Sequence, residues 1–267
     1  MGKLLDKIFF KSAISIGLLW SGIWLPGCGE DPSATSNLNA PQLVIRNNDT
    51  AAFEKGIGSW PGSSDVPKRG IRLEWHNMDA DPIGGYIIYR TSTTNSNSGP
   101  IDFLKAGVID LGQSEEDTVF IDEDVTEKVR YYYQVSAFER SGNKAEGKRS
   151  ETADYMLGSA IEGITPANGA KLRTDSLPVF RWKTEDGSTG YTVLRVYEAN
   201  PVNNELRSPV WIYAGYPPFT DPFFLYNKDG KAGVLEKGKT YRWYVSQIVP
   251  GQRNYGSSSK MQNFTIE

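Results

Sequence analysis

The sequence predicts an all-β chain in which one module occurs twice, behind an export leader. Three observations predict it. From Pro41 onward no long stretch holds a 3.6-residue apolar period; short alternating runs recur instead, broken by Gly, Asn, Asp, Ser and Pro. The 267 residues include 27 Gly, 15 Pro and 32 aromatics (7 Trp, 14 Tyr, 11 Phe), which supplies both turn formers and strand formers. Three aromatic landmarks then return in the same order about 110 residues later.

Counting excludes several chemistries. With 29 Lys+Arg against 32 Asp+Glu, the formal charge of −3 offers no basic field for a phosphate backbone, so no nucleic-acid partner is expected. One His rules out a His-based metal cluster, and one Cys rules out an intrachain disulfide framework. The length suits two modules of about 100–150 residues each.

The first element is a leader. Lys3, Lys7 and Lys11 outweigh Asp6, and an apolar stretch from Ser12 to Leu25 follows. It is shorter than the ~20 residues of a spanning helix and has the length of a signal-peptide core. The chain's single cysteine comes directly after, in Leu25-Pro26-Gly27-Cys28. This resembles the lipobox of bacterial lipoproteins: an aliphatic residue three before Cys, a small residue just before it, then Cys. The middle position, Pro26, departs from the usual pattern. The resemblance implies cleavage before Cys28, acyl chains such as palmitate on it, and a membrane held through that lipid. Two or more chains anchor stably where one does not. Gly29 is not the Asp that resembles an inner-membrane retention signal, which favours the outer membrane in a host that has one. Removing residues 1–27 leaves 26 basic against 31 acidic side chains, a net −5. Residues 28–40 are then expected to be a polar, flexible tether.

The strands follow in order. Ile71, Leu73 and Trp75 alternate onto one face, Tyr86–Arg90 is denser, and Val129, Tyr131, Tyr133, Val135 and Ala137 share a side. Phe180 and Trp182, then Tyr191–Tyr197, then Tyr241–Gln247 repeat that order. Trp75 precedes Tyr86 by 11 residues and Tyr131 by 56; Trp182 precedes Tyr191 by 9 and Tyr241 by 59. Each copy resembles a fibronectin type III domain, through Trp75, Tyr86 and Val125…Tyr131 in the first and Trp182, Tyr191 and Leu235…Tyr241 in the second. The resemblance implies two immunoglobulin-like, seven-stranded antiparallel β-sandwiches, at 41–157 and 158–267. It also makes Tyr131 and Tyr241 tyrosine corners, whose hydroxyls bond upstream backbone. Asn47–Arg69 reads as a long insertion, Asn200–Asn227 as an overlong middle segment, and Leu157–Ile161 as a short linker. Gly142-Asn143 fits a hairpin turn.

No motif carries catalysis. His76, one residue past Trp75, alternates outward with no partner nucleophile, and Ser257-Ser-Ser259 and Thr91–Ser98 read as turn material without a nucleophile elbow. No phosphate-cradling glycine motif occurs. Asp79, Asp81, Glu115–Asp117 and Asp122–Asp124 read as solvated turns; a loop-bound Ca²⁺ stays open. No catalytic residue, metal or cofactor is expected. One segment stands out: Trp211, Tyr213, Tyr216, Phe219, Phe223, Phe224 and Tyr226 crowd 16 residues, with Pro217, Pro218 and Pro222 opposing an inner strand. They either close the second core or form a binding surface, and two or more are expected to lie exposed together. Trp60 is a second candidate, or a plug at the end of the first module. The expectation is a lipid-anchored cell-envelope protein, a non-catalytic adhesion or scaffold module for protein partners. The alternative is an accessory carbohydrate-binding lipoprotein using the aromatic surface.

Overall fold

Seventeen strands run through the described residues and no helix does. The structure, a computed structural model, describes residues 36–44, 57–62, 68–78, 83–92, 102–112, 118–140, 144–185, 187, 190–200, 206–248 and 254–267; the side chain of Ser208 lies outside this set.

The first eight strands are β1 (Ile57–Trp60), β2 (Gly70–Glu74), β3 (Ile83–Ser92), β4 (Leu104–Asp110), β5 (Val119–Asp122), β6 (Arg130–Glu139), β7 (Glu146–Arg149) and β8 (Ala153–Leu157). A three-stranded sheet β1-β2-β5 faces β4-β3-β6, with β7 and β8 sharing the far edge of β6. That makes seven strand positions. Alternation drives the packing: Ile71, Leu73 and Trp75 turn inward, as do Tyr131, Tyr133, Val135 and Ala137 from the opposing sheet.

The second copy has β9 (Ile161–Thr165), β10 (Ala170–Leu172), β11 (Val179–Thr184), β12 (Tyr191–Ala199), β13 (Leu206–Gly215), β14 (Phe223–Leu225), β15 (Thr240–Ile248), β16 (Tyr255–Ser258) and β17 (Gln262–Ile266). Sheet β14-β11-β9 faces β13-β12-β15, with β16 and β17 both on β15. Phe180, Trp182, Leu194, Val196, Tyr241, Trp243 and Phe264 fill this core. The chain is all-β, two sandwiches of the same strand order.

Three sequence expectations need correction. The supposed insertion Asn47–Arg69 contains β1, and it interrupts a strand rather than preceding one. Leu43 bridges Trp75, and Ile57 then pairs with Leu73, so residues 45–56 are inserted within one strand's path along β2. The overlong Asn200–Asn227 supplies two strands of the second sandwich, β13 and β14. Ser257–Ser259 is not turn material: β16 carries Ser257 and Ser258, Ser259 bridges Ile161 just beyond it, and Ser258 and Ser259 are fully buried. Of the residues read as tether, 36–40 are described: Ser36 N donates to Glu146 O (2.9 Å), Lys148 N donates to Leu38 O (3.1 Å), and Leu38 joins the first core.

The stretch Leu157–Ile161 connects β8 to β9 with no free spacer. Strand β8 pairs in parallel with β16, Met156 opposite Tyr255 and Leu157 opposite Gly256, and Ile161 bridges Ser259. The larger sheets of the two sandwiches thereby merge into one of eleven strands. Gly256 permits the approach: a Cβ there would meet Gln247 O and Tyr155 Oη, each at 2.6 Å.

Candidate functional site

Strand alternation divides the seven aromatics. Trp211, Phe224 and Tyr226 are buried in the second core, which overturns their assignment to a surface. Trp211 lies on β13 and Phe224 on β14, both on the inward side. The Trp211 ring sits 5.2 Å from Tyr226 and 6.2 Å from Phe180, and its Nε1 donates to Asp229 Oδ1 at 2.9 Å. Tyr226 Oη donates to Gly233 O at 2.6 Å. Tyr213 and Phe223 are half-buried, each beneath a cation: Lys228 Nζ lies 4.9 Å from the Tyr213 ring and the Arg181 guanidinium 5.6 Å from Phe223.

Tyr216 and Phe219 are exposed, at 66% and 76%. Tyr216 stacks edge-on against Tyr191 at 5.3 Å, and Arg181 pairs with Asp221, two residues past Phe219. The outward positions of the smaller sheet add exposed Leu225 and Ile164, with half-buried Val179 opposite Leu225. Sequence reading missed these because single aliphatics on short strands carry no pattern of their own; only the register of β14, β11 and β9 brings them to one face.

Tyr131 and Tyr241 each close an equivalent corner. Tyr131 Oη accepts from Thr126 N at 3.0 Å, and Tyr241 Oη accepts from Glu236 N at 2.7 Å. A second shared device sits on the last strand, where a serine replaces one ladder bond with its own side chain. Ser150 N donates to Val135 O (2.7 Å) while Val135 N donates to Ser150 Oγ (3.0 Å). Ser259 and Val245 repeat this at 2.9 and 3.1 Å.

Asp122 is a correction to the solvated-turn reading. It is buried at the end of β5, where Arg90 Nη1 donates to both carboxylate oxygens at 2.8 Å and Tyr133 Oη donates at 2.8 Å. Asp124 N donates to it as well, at 3.1 Å. Burial, with the Asp122 carboxylate alongside, pushes the Tyr133 hydroxyl far above the ordinary tyrosine range. Burial pulls the Arg90 guanidinium down, and its bonds to Asp122 more than reverse that. This is a structural staple.

His76 is exposed, its N donating to Gln42 O at 2.8 Å. Trp60 is half-buried in β1, opposite Gly70. Cys28, Asp79, Asp81, Glu115–Asp117 and Gly142-Asn143 lie outside the described residues, and so do Thr93–Ser98 of the Thr91–Ser98 run. Among the described residues no three His, Cys, Asp or Glu side chains group as metal ligands. A cleft of about 540 Å³ opens at the side of the first sandwich, between Pro41–Leu43, the strip Ser150–Asp154, and Asn254 of the second.

No protein-family model matches the chain, and no curated protein does. Among solved structures it is similar to a two-domain fibronectin type III segment of chicken tenascin, at 10% identity and a TM-score of 0.28, covering 84% of this chain and 97% of that one. It is also similar to the FN1–FN3 domains of chicken CNTN1, at 12% identity and a TM-score of 0.29, covering 86% of this chain and 67% of that one. Both superpose loosely, so the fold rests on this chain's own strand order: two tandem fibronectin type III-like sandwiches, joined through one continuous sheet.

Proposed function

We propose that the chain is a lipid-anchored envelope protein that acts as a non-catalytic scaffold, holding protein-binding surfaces at a fixed geometry. The observation that carries this reading is the continuous sheet. Tandem modules linked by flexible spacers reorient freely, whereas a shared ladder fixes the second module on the first. Arg69 reinforces it from the first sandwich, donating to Ser257 Oγ at 2.7 Å and to Gly158 O at 3.3 Å while pairing with Glu127.

The lipid rests on the lone Cys28 behind its leader. Exposed Tyr216 and Phe219 supply contact area on the second module. The carbohydrate alternative is weakened, because three of the rings it would use are core. Site-specific photo-crosslinking from position 219 in intact cells tests the reading. Discrete protein adducts that vanish with a crosslinker at buried position 224 support it. Binding to a polysaccharide panel with no protein adduct overturns it in favour of the carbohydrate reading.

A further inference from the structure

The two sandwiches treat the outer edge of their last strand differently. Ser150 and Ser259 occupy equivalent places, so Thr152 corresponds to Met261 and Asp154 to Asn263. In the second sandwich both outward positions are satisfied. Met261 N donates to Gly62 O at 3.2 Å, Asn263 N donates to Asn168 Oδ1 at 3.1 Å, and Gly169 N donates to Asn263 O at 2.9 Å. Downstream, β10 completes the edge by pairing in parallel with β17.

In the first sandwich, among the described residues, the edge is covered above and below but not between. Residues 36–38 run beside β7, and β16 takes the place that β10 takes in the other copy. Met156 N points outward to Asn254 O at 2.9 Å, so by alternation within β8 the backbone groups of Asp154 point outward too; Thr152, which precedes the strand, follows by its correspondence to Met261, whose N donates outward to Gly62 O. Among the described residues neither finds a backbone partner on that side. The cleft lies over this strip, walled by Pro41–Leu43, where the chain crosses to β2. Glu151 is exposed on its rim.

We propose that this gap is a strand-addition site: an extended segment of a partner protein lies in the cleft parallel to β8. It pairs with the backbone of Thr152 and Asp154 and sets a basic side chain against Glu151. Open edge groups are a template for a further strand, and main-chain bonds supply the affinity. In the other copy the corresponding outward groups are not left open but are met by Gly62, Asn168 and Gly169. The carboxylate, on a chain with net −5 after cleavage, sets the charge of the occupant. The strip is about five residues long, so the bound segment is about 16 Å of strand. This inference rests on the protein-scaffold reading and names one docking mode within it.

The test is residue-resolved hydrogen exchange on the full chain, with an acetylated Lys-Val-Thr-Val-Lys amide as probe. In the free protein the Thr152 and Asp154 amides exchange fast while Ala153 and Tyr155, which face β6, are protected. Millimolar probe slows Thr152 and Asp154 at least about tenfold. The same peptide with alternate amides N-methylated does not, and Thr152→Pro, at an edge position that tolerates proline, abolishes the effect at Asp154. Glu151→Lys weakens the probe about fivefold. Protection of Thr152 and Asp154 in the free chain overturns the proposal, as does equal slowing by the methylated peptide or none by the probe. Any of these removes the site and leaves the scaffold reading to its own crosslinking test.

Discussion

Two tyrosines and one aspartate show how unequal buried polar contacts are. Tyr131→Phe and Tyr241→Phe each delete one hydroxyl that accepts a backbone N–H, and each is expected to lower stability by ~1 kcal/mol in denaturant titrations. Asp122→Ala does more, because it strands the Arg90 charge and the buried Tyr133 hydroxyl together; a loss of ~3 kcal/mol is expected in the same titration. The corners were legible because their partners lie five residues upstream. Asp122 was not: Asp-Glu-Asp looks like a turn, and its partner Arg90 is 32 residues away on another sheet. Tyr89 gives a pH-dependent case. Burial, and then its bond to the Glu146 carboxylate, pushes its hydroxyl up to about 12. A folded value above the ordinary ~10 means the contact stabilises fully below pH 10 and is lost as pH rises towards 12. Tyr133, Tyr226, Tyr86 and Tyr241 are raised as well, so absorbance titration should show several late phenols, and Tyr89→Phe should reduce the late amplitude by one tyrosine.

At the scale of strands, proline and alternation together explain the aromatic segment. Pro217, Pro218 and Pro222 fall between β13 and β14, outside the ladder, and both strands sit at sheet edges. The prolines alone could not tell which rings face inward. That needs the strand limits, which put Trp211 and Phe224 in the core and leave Tyr216 and Phe219 beyond the ladder. The expected consequence is a split in cost. Phe219→Ser and Tyr216→Ser should each change stability by no more than ~0.5 kcal/mol. Trp211→Ala and Phe224→Ala should each cost ~3–5 kcal/mol, since they empty volume that Phe180, Trp182 and Tyr226 cannot refill. Thermal melts of the four variants decide it. The same strand limits explain the misread insertion: β1 is four residues long, and without its partner β2 in register it has no signature of its own.

At the scale of the whole chain, the repeat was readable and the joint was not, because a parallel pairing between β8 and β16 links residues about 100 apart and leaves no local pattern. Its consequence is cooperativity. Independent modules on a spacer unfold in two steps, while modules sharing a ladder must break it before either opens alone. The joint holds Gly158 N to Gly256 O at 2.7 Å, Met156 N to Asn254 O at 2.9 Å, and Arg69 across to Ser257. Calorimetry on the full chain is therefore expected to give a single transition. Gly256→Val should split it into two, because its Cβ would sit 2.6 Å from Gln247 O, a backbone atom fixed in β15, and from the Oη of buried Tyr155. Arg69→Ala should broaden the transition without splitting it, since the backbone pairs survive. Two separate transitions in the unmodified chain would show that the shared sheet does not couple the sandwiches, and the fixed geometry that the scaffold reading needs would be lost with it.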